Sequence, residues 1–300
     1  MKILIGGSHG LVGTALIQSL ETQGHEIFRL VRRAPTSKTE VEWSPDRYSI
    51  ALARIEGFDA VVNLAGESIA ERWTDDKKRR IRESRVKGTK LLGDALANLT
   101  VPPKTFVCAS AIGYYGNRGD ELLTESSAAG DGFLAKVCAE WEEATALATE
   151  KGIRVVNARF GVILDTNGGA LKKMLPPFRM GVGGRIGSGK QWMSWIALDD
   201  VIGGIQFALA NDSMKGPVNF VAPVPVRNAE FTKTLGKVLS RPTIFPIPAF
   251  AIKLLFGEMG EALLLGGQRV APERLVAGGY EFSYPQLEQA LVHILEKAQD

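Results

Sequence analysis

A glycine-rich turn near the start of the sequence has the residue types and spacing that hold a phosphate group. An apolar strand at residues 2–5 is followed by Gly7, Gly10 and Gly13 and then by a helical pattern. The first glycine permits a tight turn, the second lets the backbone approach a pyrophosphate, and the third lets the helix pack on the strand. The helix N-terminus adds amide donors and a partial positive charge. Although Ser8 replaces the middle glycine of the commonest motif, the strand–turn–helix context predicts a dinucleotide site.

Two arginines after the second predicted strand, residues 26–31, indicate which dinucleotide fits. A site for NAD(H) has Asp or Glu at this point to hold the ribose 2′-hydroxyl, whereas this chain has Arg32 and Arg33. Guanidinium groups bind phosphate through paired N–H donors. We therefore predict NADP(H) as the cofactor. The alternative is a solvated basic pair at a strand end.

Alternating strand and helix patterns must position this turn. Strands are predicted at residues 2–5, 26–31, 58–64, 105–109, 153–158 and 217–221, with helices between them, one of them capped by Thr74 and another over 134–150. This alternation predicts an α/β fold with a Rossmann-type, doubly wound parallel sheet and a smaller, mostly helical C-terminal substrate lobe. The predicted dinucleotide domain is 1–165 with the return of 197–222. The predicted substrate lobe is 166–196, interpreted as a surface excursion, and 223–300, with its helical part at about 246–297.

Composition excludes several classes of protein. Lys and Arg number 36 against 33 Asp and Glu, so the net charge of +3 predicts neither a nucleic-acid partner nor a membrane partner. Two cysteines and three scattered histidines predict no disulfide framework and no metal site. Cytoplasmic localisation is predicted, because the N-terminal residues lead directly into a strand and do not resemble a secretion signal.

Several longer motifs make the chain recognisable. They are GGSHGLVG (6–13), NLAGESIAERW (63–73), SRVKGT (84–89), SAIGYYG (110–116), RFGVIL (159–164), GSGKQWMSWIALDDV (187–201) and a tail from Pro248 to Leu275. Through them the chain resembles the extended short-chain dehydrogenase/reductases. Within that superfamily it is similar to the atypical epimerase family with a C-terminal domain of unknown function, a group that includes proteins described as cell-division inhibitors.

The resemblance implies a seven-stranded parallel sheet and a row of contacts to NADP(H). It adds residues from four segments to the glycine turn and the arginine pair. The full predicted set is Gly7, Ser8, His9, Gly10, Leu11, Val12, Gly13, Arg32, Arg33, Leu64, Ala65, Gly66, Glu67, Arg80, Arg85, Ala109, Phe160, Gly161 and Val162.

The catalytic residues depart from the family pattern. Extended members use Tyr-x-x-x-Lys on the helix that follows the strand at 105–109, and neither register of residues 130–142 gives a tyrosine here. The candidate replacements are Ser110, Tyr114, Tyr115 and Lys136. Residues after the strand at 58–64 and two later tryptophans are candidates for the substrate pocket: Arg72, Trp73, Trp192 and Trp195, the last two with core packing as the alternative.

Two functions remain open at this point. One is an NADP(H)-dependent oxidoreductase or epimerase-like enzyme with altered acid–base residues, acting on a small molecule. The other is an NADP(H)-binding regulatory or cell-division-associated protein with a protein partner and without fast turnover. A homodimer is compatible with either.

Overall fold

A parallel sheet forms the centre of the computed structural model, which describes residues 1–297. The strands are β1 (Lys2–Gly6), β2 (Glu26–Val31), β3 (Glu40–Ser44), β4 (Ser49–Ile50), β5 (Ala60–Asn63), β6 (Thr105–Ala111), β7 (Leu122–Leu123), β8 (Arg154–Phe160), β9 (Val162–Leu164), β10 (Trp192–Met193), β11 (Trp195–Ala197), β12 (Gly216–Phe220), β13 (Val226–Arg227) and β14 (Arg269–Val270). Eight of them form one sheet in the order β12-β8-β6-β5-β1-β2-β3-β4. Seven are parallel, and only the short β4 pairs antiparallel, with β3. The order of the strands in the sheet reverses between β1 and β5, which is where open α/β sheets bind ligands.

Helices cover both faces of this sheet. They are α1 (Leu11–Thr22), α2 (Asp75–Ala97), α3 (Phe133–Glu143), α4 (Ala146–Glu150), α5 (Gly169–Arg179), α6 (Leu198–Ala210), α7 (Asn228–Val238), α8 (Ala249–Phe256), α9 (Glu258–Gly260), α10 (Glu273–Ala277) and α11 (Leu287–Glu296). Leu16 of α1 and Ile205 of α6 pack in one core cluster, while Leu92 of α2 and Trp141 of α3 pack in another. The predicted Rossmann-type α/β fold with a helical C-terminal part is therefore confirmed.

The long helix α2 shows how local sequence sets an element boundary. The Thr74 hydroxyl accepts a hydrogen bond from the Lys77 amide at 3.2 Å, as predicted for the N-cap. Asp75 and Asp76 occupy the first turn, where their charges favour the helix dipole. The opposite end of α2 packs Leu92 and Leu96 under the sheet. Side chains from the first turns of this helix therefore lie at the carboxyl-terminal edge of β5.

Two sequence predictions about local structure are wrong. The segment 166–196 is not one irregular excursion, because it contains α5, β10 and β11. Leu171, Leu175 and Phe178 bury one face of α5, and this packing outweighs two prolines inside the helix. The single helix predicted over 134–150 is two, α3 and α4. The last three residues of the predicted substrate lobe, 298–300, lie outside the described residues.

Two kinds of feature are absent from residues 1–297. No helix in that range is long and apolar enough to cross a membrane. Within the same range, no group of three or more His, Cys, Asp or Glu side chains is arranged to hold a metal ion.

Candidate functional site

The glycine turn packs backbone against backbone at the reversal point of the sheet. Gly7 has a φ of +76°, and a side-chain carbon there would lie 2.6 Å from the carbonyl carbon of Leu64. A side-chain carbon at Gly13 would lie 2.3 Å from the Gly7 carbonyl oxygen. The Gly10 amide closes the turn by donating to that same oxygen at 3.1 Å. The turn, the first residues of α1 and the end of β5 are thus in direct contact, and Ser8, His9, Leu11 and Val12 lie on this turn.

The two arginines after β2 have different surroundings. Arg33 donates to both carboxylate oxygens of Glu40, at 2.6 and 2.8 Å. The hydrogen bond from Arg33, followed by one from the Thr36 amide, lowers the pKa of Glu40 to about 2. Arg32 is exposed and makes no hydrogen bond or ion pair to any residue in 1–297. Arg33 is therefore engaged by Glu40, whereas Arg32 has no protein partner among residues 1–297, and contact of either arginine with a 2′-phosphate stays a prediction.

A partly buried cation lies beside the end of β5. The guanidinium carbon of Arg85 is 3.2 Å from where a side-chain carbon of Gly66 would stand. Its Nη1 donates to the carbonyl oxygens of Glu67 and Ile81, at 3.0 and 3.1 Å. Burial lowers the pKa of Arg85, and no carboxylate in residues 1–297 lies within ion-pair distance of it. A partly buried charge without a counter-ion is unfavourable, so this position favours an anionic or strongly polar ligand.

The neighbouring carboxylate, that of Glu67, is neutralised by its own partners. Lys77 is almost fully buried, and its ammonium lies 2.7 Å from Glu67 and 2.9 Å from Glu71. The hydrogen bond from Lys77 lowers the pKa of Glu67. Arg80 is exposed, lies 3.9 Å from Glu67 and pairs with Asp76 at 2.9 Å. This group fixes the loop after β5 to the start of α2.

The hydroxyl groups predicted for catalysis have buried partners. The Ser110 hydroxyl donates a hydrogen bond to Glu142 at 2.6 Å. Glu142 also accepts hydrogen bonds from Nε and Nη2 of Arg159, each at 2.7 Å. Arg159 Nη1 donates to the Tyr115 hydroxyl at 2.9 Å, and that hydroxyl donates to Asn219 at 2.7 Å. Burial raises the pKa of Tyr115, whose side chain is completely inaccessible. Substrate contact by Ser110 and Tyr115 stays a prediction, although their polar groups are already satisfied.

Tyr114 is the phenol of this segment that is partly exposed. Its ring lies 3.5 Å from the guanidinium carbon of Arg159, and its hydroxyl makes no hydrogen bond within residues 1–297. Lys136 is exposed on α3. Leu134 and Cys138 are the residues of α3 that face Gly113, at 3.4 and 3.8 Å from its built side-chain position.

The remaining predicted residues divide between surface and core. Arg72 is exposed, and Trp73 is buried in a cluster with Met259. Trp195 is fully buried and donates to the Val224 carbonyl, so core packing is what the structure shows for this residue. Trp192 is half-buried. Ala109 is buried in β6, Phe160 is the last residue of β8, Gly161 follows it, and Val162 begins β9.

The sequence did not predict the polar partners of Arg159 in β8 or of Trp192 in β10. A charged residue inside the buried strand RVVNARF requires a buried counter-ion, and this signal predicts a partner for Arg159. Around Trp192, the guanidinium groups of Arg227 and Arg269 lie 4.3 and 4.8 Å from its ring centre. Its indole N–H donates to Asp120 at 2.7 Å. These residues are far apart in sequence and no motif joins them.

Comparison with known families identifies the chain. The model of the NAD dependent epimerase/dehydratase family matches residues 3–222, and that of a domain of unknown function, DUF1731, matches residues 247–294. The chain belongs to the NAD-dependent epimerase/dehydratase family. An epimerase family protein of Mycobacterium tuberculosis is 43% identical, with 96% of each chain covered. The human epimerase family protein SDR39U1 is 38% identical, over 98% of this chain and all of the human protein. The resemblance predicted from the motifs is thus confirmed.

Solved structures of relatives have the same architecture. The crystal structure of human SDR39U1 (isoform 2) with NADPH has a TM-score of 0.91 to this chain, at 37% identity and 99% coverage of both. A Corynebacterium glutamicum protein described as a nucleoside-diphosphate sugar epimerase has a TM-score of 0.81 at 39% identity, and 58% of that chain is covered. NADPH is therefore the dinucleotide found in one relative of closely similar fold.

Proposed function

We propose that this chain is an NADP(H)-binding oxidoreductase or epimerase-like enzyme of the short-chain dehydrogenase/reductase type, working without the Tyr-x-x-x-Lys pair. The observation that carries the proposal is the exposed Arg32, which has no partner among residues 1–297 and directly follows β2, the strand that pairs with β1 before the glycine turn. A ribose 2′-phosphate at this point gains charge-assisted hydrogen bonds that a bare 2′-hydroxyl does not. The human relative with bound NADPH supports this choice of dinucleotide.

The residues toward α3 suggest how a proton would be supplied. NADPH, when bound, supplies a hydride, and a carbonyl group that accepts it develops negative charge on its oxygen. In our proposal Tyr114 donates the proton, because it is the partly exposed phenol of the loop after β6. Arg159 packs against its ring and is itself fixed by Glu142, so it acts as a positioning residue. Arg85 places a second positive charge at this edge.

The cofactor proposal is tested by titration with NADPH and NADH. Arg32→Ala should lower NADPH affinity at least about tenfold and leave NADH affinity unchanged, since a charge-assisted hydrogen bond contributes about 1.5–3 kcal/mol. Arg29→Ala is the matched control, because Arg29 lies on β2, three residues before Arg32, and pairs with Glu21. Equal affinity of the unmodified protein for both nucleotides would contradict the proposal.

A second function is favoured by a separate observation. The Ser110 and Tyr115 hydroxyls already donate hydrogen bonds within the protein. This fits a regulatory NADP(H)-binding protein that engages a protein partner without fast turnover. NADPH consumption with a library of carbonyl compounds and nucleotide sugars separates the two functions. Turnover of any member supports the enzyme, whereas NADPH binding with no consumption supports the regulatory protein. The cytoplasm as its compartment and a homodimer as its assembly stay predictions.

A further inference from the structure

Large apolar side chains are exposed where the loop after α5 meets the segment that leads into α8. Phe250 and Leu254, one turn apart on α8, are 73% and 74% exposed. Monomeric proteins rarely expose a large contiguous apolar patch unless it binds something. We call this group the α8 surface, and its members are Met180, Val182, Ile244, Phe245, Phe250, Leu254, Leu255 and Phe256.

Backbone contacts join the two segments that form the α8 surface. The Ile247 amide donates to the Arg185 carbonyl oxygen at 2.8 Å, and the Gly187 amide donates to the Ile247 carbonyl oxygen at 2.8 Å. Nearer to α5, a side-chain carbon at Gly181 would lie 3.6 Å from the Pro242 ring. The exposed residues of the loop after α5 are therefore neighbours in space of those that precede α8.

Cations without counter-ions lie among these apolar side chains. Arg179, Arg185 and Arg241 are exposed, and none of them has a carboxylate of residues 1–297 within ion-pair distance. Arg241 donates to the Arg179 carbonyl oxygen at 2.9 Å, and Arg185 donates to the carbonyl oxygen of Gly187 at 2.7 Å. Lys253 of α8, in contrast, pairs with Glu261. The α8 surface thus combines exposed apolar side chains with three guanidinium groups that no carboxylate neutralises.

The net charge of the whole chain conceals this concentration of positive charge. Residues 171–190 and 239–257, which form the α8 surface, contain seven Lys or Arg and no Asp or Glu. The rest of the chain has 29 Lys or Arg against 33 Asp or Glu. The small net charge is therefore the average of two strongly basic segments and an acidic remainder. A local positive field of this kind attracts an anionic surface whatever the net charge of the protein.

These charges favour an anionic lipid surface over a second copy of the chain. A two-fold contact through the α8 surface would bring the same patch of each copy together, so the arginines would face like charges. At a membrane, basic side chains lie beside negative headgroups, and apolar side chains enter the boundary between headgroups and acyl chains. A fluid lipid surface also accepts projecting side chains such as Phe250 and Leu254 without a matching pocket.

We propose that the α8 surface binds the headgroup region of membranes that contain anionic phospholipids. Phe250 and Leu254 enter the lipid, and the three arginines contact the negative headgroups. Attachment is confined to the interface, since the eight residues of α8 are far fewer than the about 20 needed to cross a bilayer. No residue of the proposed cofactor site belongs to this surface, so the inference is independent of the proposed function.

The test is cosedimentation of the full chain with two kinds of vesicle, phosphatidylcholine alone and phosphatidylcholine with phosphatidylglycerol in equal parts. Wild type should bind the anionic vesicles much more tightly than the neutral ones, and added salt should weaken this binding by screening. Arg179→Gln/Arg185→Gln/Arg241→Gln should bind about a hundredfold more weakly, since each charge near an anionic surface contributes about fivefold. Phe250→Ser/Leu254→Ser should bind at least about tenfold more weakly, because less apolar area is buried in the lipid.

Matched control variants carry the same kinds of change elsewhere. Arg47→Gln/Lys104→Gln/Lys151→Gln removes three exposed charges, two of them from residues just before β6 and β8 at the amino-terminal edge of the sheet. Val101→Ser/Val276→Ser removes two apolar side chains that are 58% and 55% exposed. Both controls should bind anionic vesicles within about twofold of wild type, since they leave the contact surface intact. Thermal unfolding of every variant verifies that it is folded.

Each other result overturns the inference. Absence of wild-type binding to anionic vesicles would leave the α8 surface to a protein partner. Unchanged binding by either α8-surface variant would place the lipid contact elsewhere, and equal losses for the arginine variant and its control would show attraction by total charge alone. A wild-type dimer that Phe250→Ser/Leu254→Ser dissociates in sedimentation velocity would make a second copy the occupant. The proposed function is judged separately, by the NADPH titration.

Discussion

The polar groups around the glycine turn and those around the end of β6 differ in whether they have partners within the protein. Around the glycine turn, Arg32 and His9 are exposed, and Arg85 has no carboxylate partner among residues 1–297. Around the end of β6, Ser110 and Tyr115 are bound to Glu142, Arg159 and Asn219 in a continuous buried network.

This difference shows which part is arranged for an added ligand. Buried polar groups are stable only when they are hydrogen-bonded, and buried charges only when they are paired. The network at β6 meets this requirement within the protein, so it needs no ligand for stability. The β1–β2–β5 edge leaves positive groups that a dinucleotide's phosphates would satisfy. Binding and rigid support are thus divided between two neighbouring regions.

The largest expected effect separates Tyr114 from Tyr115. Tyr114→Phe should lower kcat on an identified carbonyl substrate by about 10²–10⁴, the usual contribution of a positioned general acid, with little change in stability. Tyr115→Phe should instead destabilise the fold by about 1–3 kcal/mol, since it leaves buried polar groups of Arg159 and Asn219 unsatisfied. Turnover and thermal unfolding are measured on both variants. Full turnover by Tyr114→Phe would refute the assignment of the proton donor.

The next effect tests the buried ion pair. Glu142→Gln removes the partner of Arg159 and should cost about 3–5 kcal/mol, a fall of about 10 °C in Tm. Glu140→Gln on the same helix is the control, because Glu140 pairs with the exposed Arg82 and should cost at most about 1 kcal/mol. Similar losses for the two variants would remove the contrast between the regions.

A smaller effect is expected in acid. The Arg33 hydrogen bonds depress the pKa of Glu40 from 4.5 to about 2. A depressed carboxyl pKa contributes stability above the unfolded pKa, and this contribution is lost as the pH falls from about 4.5 toward 2. Wild type should therefore lose its stability advantage over Glu40→Gln across this range in acid-unfolding curves. Parallel curves for the two proteins would show that the pair contributes nothing.

The smallest effect concerns cofactor binding by the paired arginine. The double variant Arg33→Gln/Glu40→Gln removes both charges of a pair that neutralises itself. NADPH affinity should change by less than about twofold, since no net charge is removed from the phosphate site. Titration beside Arg32→Ala measures this directly. A loss as large as that of Arg32→Ala would restore Arg33 to the 2′-phosphate site.

Local pattern was enough to predict much of the fold. The strand–turn–helix sequence at residues 2–22, the Thr74 cap and the buried strands depend on neighbours within a few residues. These features appear in the structure nearly where the sequence places them. The helix α5 was missed because two adjacent prolines argued against it, whereas burial of Leu171, Leu175 and Phe178 decided it.

The sequence by itself determined the family, the parallel sheet and the glycine turn, because each follows from short-range patterns and specific motifs. Only the tertiary structure decided which polar side chains are free. Glu142 reaches Ser110 across 32 residues, Asn219 reaches Tyr115 across 104, and Glu40 holds Arg33 through the pairing of β2 with β3. These partners are required because folding removes polar and charged groups from water. The spacing of residues along the chain does not predict which groups will be paired.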